Sequence, residues 1–272
     1  MAKLHATIGP DSTPVYPIVR KIGPADLKDA LAKGIDDFFA MPSSHVFLGV
    51  IYPIALLCLA GYALPLLFPL MAGFALVGPF AAIGLYEISR RRELGLDTSW
   101  LHAFGVLRSR SIFSILSLGL LLLVIFACWE FTAQSLYEAL FGSAPPATFA
   151  QLMRNIFETP QGWKLIGFGT AIGFIFAVVV LSISVVSFPL LLDRDVGVPV
   201  AVQTSVRAVL ANPFAMALWG LIIAAILAIG FLLLFVGLAI AVPILAHSSW
   251  HLYRRVVPKI SNGVLDDASA MG

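Results

Sequence analysis

The sequence predicts an all-α polytopic membrane protein with six transmembrane helices arranged as three hairpins, each preceded by a cytoplasmic amphipathic helix. Three observations lead to this prediction: long apolar blocks, an uneven distribution of Lys and Arg, and an internal repeat. The 272 residues are 60% hydrophobic and 12% charged, against about 45–50% and about 25% in soluble domains. This composition excludes an ordinary soluble domain and predicts contact with the lipid bilayer.

The apolar blocks have the lengths of single or double membrane spans. A helix needs about 20 mainly apolar residues to cross the hydrocarbon core. Two blocks fit one span each, and two are twice as long, with Gly or Pro near their centres. The predicted spans are residues 46–63, 66–86, 112–131, 165–188, 214–231 and 235–253.

These spans divide the chain into three regions. Residues 25–258 form the predicted membrane domain. Residues 1–24 form a polar N-terminal segment, which we expect to be flexible, and residues 259–272 form a C-terminal tail.

The Lys and Arg residues give the predicted orientation. Fifteen of the seventeen fall on one side of the predicted spans, and only Arg154 and Lys164 fall on the other. Because Lys and Arg accumulate in cytoplasmic loops, we expect both termini to lie in the cytoplasm, with the protein in a bacterial inner membrane.

An internal repeat underlies the three hairpins. Residues 30–42 read ALAKGIDDFFAMP and residues 201–213 read AVQTSVRAVLANP. Each stretch carries an apolar stripe at helical spacing, which predicts an amphipathic helix at the cytoplasmic boundary. The stripes are Leu27, Leu31, Ile35 and Phe38 in the first unit, Val198, Val202, Val206 and Val209 in the last, and a weaker Trp100, Phe104 and Leu107 in the middle.

The long connection between the third and fourth spans, residues 132–162, is predicted to contain an external helix. Its apolar residues recur at helical spacing between Phe149 and Phe157, and the pattern ends before Pro160. We expect this helix to rest on the outer face of the membrane.

Four histidines are the candidate ligands for a metal ion or haem. His247 and His251 are four residues apart and so share one helix face. His45 and His102 are also predicted to lie on the cytoplasmic side and would complete a metal cluster. The alternative is that the pair forms hydrogen bonds to neighbouring helices. We assign no catalytic residue.

Gly169 and Gly173 form a GxxxG step in the fourth span. Such small residues allow close helix packing, which indicates a helix at the centre of the bundle or at a homo-oligomer interface. Serines further along this helix leave a polar pore lining as the alternative. None of the predicted spans has a charged residue at its middle, which argues against a proton- or ion-coupled transporter.

Four strings carry a family resemblance: Val77–Arg91, Ser187–Gly197, Ser205–Pro213 and His247–Val257. They resemble a bacterial family of predicted integral membrane proteins defined only as a domain of unknown function, over about residues 25–258. Family members are sometimes labelled cytochrome c oxidase subunit I by automated transfer. That enzyme has many more spans and several intramembrane histidines, so we reject the catalytic label and keep an association with a respiratory complex as a hypothesis.

Three functional hypotheses follow. The first is a non-enzymatic accessory or scaffold subunit of a membrane complex, or a homo-oligomer. The second is a haem- or metal-handling protein that uses His247 and His251, and the third is a transporter of a small uncharged or lipid-like solute. We expect no nucleic-acid partner.

Overall fold

The computed structural model describes residues 16–41, 82–143, 148–233 and 237–259. Within these ranges all regular structure is helical, which confirms the predicted all-α class. The predicted span 46–63, most of the predicted span 66–86 and His45 lie outside the described residues.

The first half of the described chain contains three α-helices and one 3₁₀ helix. They are α1 (Pro24–Ala40), α2 (residues 82–93), the 3₁₀ helix (Trp100–Arg108) and α3 (Ile112–Phe141). Helix α3 begins where the third span is predicted to begin but runs ten residues past its predicted end. It ends at Gly142, whose φ of 84° is accessible at little cost only to glycine.

The second half contains six α-helices. They are α4 (Phe149–Glu158), α5 (Pro160–Ser184), α6 (Ser187–Asp193), α7 (Val198–Ala211), α8 (Pro213–Leu232) and α9 (Leu238–Val256). Helix α4 forms where the sequence predicts it and ends before Pro160. Prolines occupy the first turns of α5, α7 and α8, where the missing N–H has no helical partner to lose.

Among the described residues, three helices have the length and apolar composition to cross a membrane. They are Ile112–Phe141, Pro160–Asp193 and Pro213–Gly230. Pro160–Asp193 combines α5 and α6, which are separated by a short distortion at residues 185–186. Helix α9, which covers the predicted sixth span, is not among them because its second half contains His247, His251, Arg254 and Arg255.

The amphipathic helices α1 and α7 bury a face shifted by about one position from the predicted stripe, with Leu27 common to both in α1. The buried residues of α1 are Leu27, Ala30, Gly34 and Asp37, and those of α7 are Ala201, Thr204, Ser205 and Ala208. The larger residues of the predicted stripes lie beside these faces, and Ile35 is exposed. Small side chains form the contact because they let the neighbouring helix approach closely.

Each short helix at the predicted membrane boundary packs on a different long element. Helix α1 makes its most extensive contact with α9, and α7 packs on α5 and α6. The 3₁₀ helix reaches α2, where a Cβ atom at Gly84 would lie 3.1 Å from the Cβ of Ala103. The main hydrophobic core beneath them includes Trp219, Trp250 and Tyr253, all fully buried.

Residues 16–23, which we expected to be flexible, make specific contacts. The side chain of Asn212 accepts a hydrogen bond from the Ile22 amide at 2.8 Å and donates one to the Arg20 carbonyl at 3.0 Å. The Arg20 amide donates to the Val256 carbonyl at 2.8 Å. This segment therefore lies against the α7–α8 junction and the end of α9.

Candidate functional site

Buried charged side chains gather where α1, α2 and α9 meet. Asp37, on the buried face of α1, is only 3% exposed. Its carboxylate accepts hydrogen bonds from Ser89 Oγ at 2.5 Å and Arg92 Nη1 at 2.5 Å, both on α2. His251 Nε2, on α9, lies 2.8 Å from the same carboxylate. One carboxylate thus connects three helices.

His247 joins this cluster through Ser89. The imidazole of His247 is fully buried, and its Nδ1 lies 2.7 Å from Ser89 Oγ. A serine hydroxyl has one proton to donate. Because that proton goes to Asp37, Ser89 accepts a hydrogen bond from Nδ1–H of His247. The two histidines are therefore linked through Asp37, directly for His251 and by way of Ser89 for His247.

The surroundings of Asp37 keep its carboxylate charged. Burial alone would raise its pKa, but the hydrogen bonds from His251, Ser89 and Arg92 outweigh burial and lower the pKa below its ordinary value. The hydrogen bond to Asp37 in turn raises the pKa of Arg92. The cluster therefore contains a partly buried ion pair with additional polar partners.

Of the other predicted ligands, His102 does not join this cluster, and His45 lies outside the described residues. His102 lies on the 3₁₀ helix, with Nδ1 3.4 Å from Asp97 Oδ2. Within the part of the chain that the structure describes, no three His, Cys, Asp or Glu side chains are placed to hold a metal ion. Metal or haem binding by His247, His251, His45 and His102 stays a prediction.

A second network surrounds Arg254 at the end of α9. Its guanidinium donates two hydrogen bonds to Asp193 of α6, at 2.7 and 2.9 Å, and one to Glu93 of α2 at 3.0 Å. Tyr253 Oη donates to Asp193 at 2.7 Å, and Trp250 Nε1 donates to Glu93 at 3.1 Å. The bidentate pair adds both strength and geometric specificity. This network ties the ends of α2, α6 and α9 together.

Charge pairing also governs the protonation of this network. Burial would lower the pKa of Arg254, but the adjacent carboxylates outweigh burial and raise it. Burial would raise the pKa of Glu93, but Lys259, Arg254 and Trp250 lower it. Arg254 and Glu93 therefore keep their charges at neutral pH.

Both networks line one polar cleft of about 860 Å³. Asp37, Arg92 and His251 contribute from the first network, and Glu93 and Arg254 from the second. Arg20 and Lys21 of the N-terminal segment complete one of its walls. Sequence reasoning found the histidine pair but missed Asp37, Ser89 and Asp193.

Gly169 and Gly173 face α3 within the same chain. A Cβ atom at Gly173 would lie 3.2 Å from the Trp129 ring, and one at Gly169 would lie 3.9 Å from Leu136. An apolar groove of about 550 Å³ opens beside these contacts, between α3 and α5. In this structure the GxxxG face is thus occupied by the chain's own third span.

Comparison with known proteins gives a family match. Residues 67–193 match the family described as "Predicted integral membrane protein (DUF2189)". This match agrees with the resemblance to a family of predicted integral membrane proteins and covers just under half of the chain. The match contains Val77–Arg91 and most of Ser187–Gly197, whereas the other two strings lie outside it. No curated protein and no solved structure matches the chain. This integral membrane family carries no assigned function.

Proposed function

We propose that this chain is a non-enzymatic accessory or scaffold subunit of a bacterial inner-membrane complex. The observation that carries the proposal is the exposed surface of α3. Only 11% of its most apolar 18-residue window is buried inside the protein. Phe113, Leu120 and Phe131 are 79%, 61% and 76% exposed. Such a helix offers an apolar surface over its whole length to lipid or to a partner helix.

The polar site supports a structural role. The buried carboxylate of Asp37 and the partly buried carboxylates of Glu93 and Asp193 each pair with an arginine, and these pairs join α1, α2, α6 and α9. A rigid cap of this kind holds the helix ends in a fixed arrangement. A scaffold needs this rigidity to present a constant surface to its partner.

The ion pairs that join these helix ends also support the hairpin arrangement. They further support the proposal that the connections between the hairpins lie on one side of the membrane. Helix α8 begins at Pro213, directly after α7, and α9 ends at the Arg254 pair with Asp193. Lys259 Nζ lies 2.6 Å from Glu93 at the end of α2. If α8 crosses the membrane, α9 must return to the side from which α8 started. Together with the Lys and Arg distribution, this supports the proposal that both termini lie in the cytoplasm.

The cyclic packing of the short helices supports three tandem units. The 3₁₀ helix packs on α2, α7 packs on α5 and α6, and α1 packs on α9. Each short helix therefore contacts the exit helix of the preceding unit, and the first contacts that of the last. Ala30 and Ala201, at equivalent repeat positions, are both fully buried.

Site-specific photo-crosslinking in membranes tests the accessory role. A photoreactive residue replaces Leu120 on the exposed face of α3, and a matched control replaces Ile229, which is 58% exposed on α8. We expect a discrete adduct with another protein from position 120 and none from position 229. Purification in mild detergent as a free monomer, with only lipid adducts at both positions, would contradict the proposal.

A second candidate function is the handling of a lipid-like molecule, and the apolar groove between α3 and α5 favours it. The groove is lined mainly by side chains such as Leu136, Leu165 and Ile172, with few polar atoms. A Gly169→Leu substitution would fill part of it. If this function is correct, native mass spectrometry will detect a retained lipid in the wild type and less in the variant. Equal retention by the two proteins would argue against it.

A further inference from the structure

We propose that the polar cleft at the junction of α1, α2 and α9 binds a phosphate-bearing anion. This site goes beyond the accessory role and does not depend on it. The cleft's volume of about 860 Å³ falls within the ~300–1,000 Å³ typical of small-molecule sites.

The charge of the lining favours an anionic ligand. Seven basic side chains face four acidic ones. The basic residues are Arg20, Lys21, Lys33, Arg92, Arg254, Arg255 and Lys259, and the acidic ones are Asp26, Asp36, Asp37 and Glu93. The lining therefore has three more basic than acidic side chains. Asp29 and Asp193, outside the lining, pair with Lys33, Arg255 and Arg254, which reduces the excess to one positive charge before His251 is considered.

The acidic residues of the lining are already engaged by cations. Asp36 and Asp37 both pair with Arg92, and Glu93 pairs with Arg254 and Lys259. Their negative charge is therefore compensated locally. Among the described residues, the basic side chains of the lining that form no ion pair with a carboxylate are Arg20 and Lys21.

Arg20 and Lys21 are the principal ligand-binding residues of the proposal. Among the described residues, neither forms an ion pair with a carboxylate, and the Lys21 ammonium donates only to the Ala211 carbonyl, at 2.7 Å. Their backbone is fixed by hydrogen bonds to Val256 and Asn212. Two exposed cations are thus held in place at the cleft without an anionic partner. Arginine and lysine are the usual side chains that bind phosphate.

The same phosphate chemistry has two sources, the headgroup of an anionic lipid and a soluble phosphate compound. The experiment uses the full chain in nanodiscs. In the soluble arm, the lipid is phosphatidylcholine alone and pyrophosphate is titrated by calorimetry. In the lipid arm, phosphatidylglycerol is added and its retention is measured by native mass spectrometry. Binding in the first arm identifies a soluble ligand, and selective retention in the second identifies a lipid headgroup.

Variants decide whether the cleft is the site. The double substitution Arg20→Gln with Lys21→Gln removes the two unpaired cations, and Arg108→Gln with Arg110→Gln removes two exposed cations that do not line the cleft. We expect binding to weaken by about tenfold or more in the first variant, because roughly one charge-assisted hydrogen bond or more is lost. In the second variant we expect binding to weaken by less than about twofold.

A Lys33→Gln variant is an independent check, since Lys33 lines the cleft with a half-exposed side chain. It should weaken binding even if the double variant fails to fold. Absence of binding in both arms, or equal losses in the cleft variants and the Arg108/Arg110 control, would overturn the proposal.

Discussion

At the scale of single residues, Asp37 determines how α1 is held on the rest of the protein. Its buried carboxylate interacts with Arg92, Ser89 and His251 from two other helices. Removing one partner of a buried charged network leaves the others without compensation. The neighbouring Asp36 pairs with the same arginine, but its side chain is 73% exposed. The two aspartates therefore form a matched pair for mutation.

We expect Asp37→Asn to lower the free energy of unfolding by about 1–3 kcal/mol, because charged hydrogen bonds are lost inside the protein. Asp36→Asn should cost about 0–1 kcal/mol, since solvent screens an exposed ion pair. Thermal and denaturant unfolding in detergent measures both. Equal effects for the two variants would show that burial of Asp37 does not strengthen its contacts.

The same carboxylate predicts a dependence of stability on pH. The pKa of Asp37 is lowered in the folded protein from an ordinary 3.8, so the unfolded chain takes up the proton first as the pH falls. The stabilisation by Asp37 is therefore complete above about pH 5 and lost as the pH falls through the folded pKa.

We expect the stability difference between the wild type and Asp37→Asn to shrink as the pH falls below about pH 4. Ser89, Arg92, His247 and His251 face this carboxylate and stay in place in the variant. Unfolding temperatures of both proteins as a function of pH provide the measurement. A difference that grows on acidification would mean that the pKa of Asp37 is raised, not lowered.

How far the sequence predicts the site depends on the residue. The spacing of four between His247 and His251 was sufficient to place them on one face. Asp37 was missed because the apolar stripe of α1 left it on the side expected to face solvent. The helical spacing of Leu27, Ala30 and Gly34 continues to position 37, and this pattern would have predicted that Asp37 lies on the buried face. Ser89 and Asp193 are distant in sequence from the histidines, and only folding brings them together.

At the scale of elements, the close approach of α1 and α9 depends on glycine. A Cβ atom at Gly34 would lie 2.6 Å from the Ser248 amide nitrogen and 2.7 Å from its Cα. Both atoms belong to the backbone of α9 and cannot rotate away. We expect Gly34→Ala to push the helices apart and to lower the free energy of unfolding by about 1–3 kcal/mol.

Gly105→Ala is the control for this substitution, since no atom lies within 4 Å of a Cβ placed at Gly105. It should change stability by less than about 0.5 kcal/mol. Differential scanning fluorimetry compares the two variants. If Gly34→Ala is as stable as the wild type, α1 and α9 do not pack at the distance seen here.

The lengths of the elements were predicted less well than their existence. Residues 112–131 form a helix as predicted, but α3 continues to Phe141 because hydropathy reports where the apolar stretch ends and not where the helix ends. Residues 132–141 contain Gln, Leu and Glu, which favour helices. In α7 the contact face consists of Ala, Ser and Thr, and in α1 it includes Ala30 and Gly34 besides Leu27 and Asp37. A prediction based on large apolar residues therefore placed the buried face one residue away from its observed position.

At the scale of the whole molecule, the ends of α2, α6 and α9 meet around Arg254. This single arginine contacts Glu93 and Asp193, which lie a hundred residues apart in the sequence. A change in the membrane side of any one helix end would separate these partners. The network therefore ties the membrane side of the end of α9 to that of the ends of α2 and α6.

This geometry leads to a topology prediction. It distinguishes a chain in which only the three candidate spans cross the membrane from one in which α9 also crosses and forms a hairpin with α8. In a chain with Cys58 and Cys128 replaced by alanine, single cysteines are placed at Asp97, Ser143 and Lys259. We expect a membrane-impermeant maleimide to label Ser143→Cys in intact spheroplasts. Asp97→Cys and Lys259→Cys should react only after lysis, since Lys259 lies against Glu93 and so on the side of the Arg-rich connection.

The Lys259→Cys result carries the most information, because α9 is less apolar than the three candidate spans. If α8 crosses and α9 does not return, position 259 would be labelled in intact spheroplasts together with position 143. Such a result would be incompatible with the hydrogen bonds from Arg254 to Asp193 and Glu93. Protection of position 259 instead requires an even number of crossings between Asp97 and the end of α9. Helix α3 and the α5–α6 helix contribute two crossings, and α8 and α9 contribute two more.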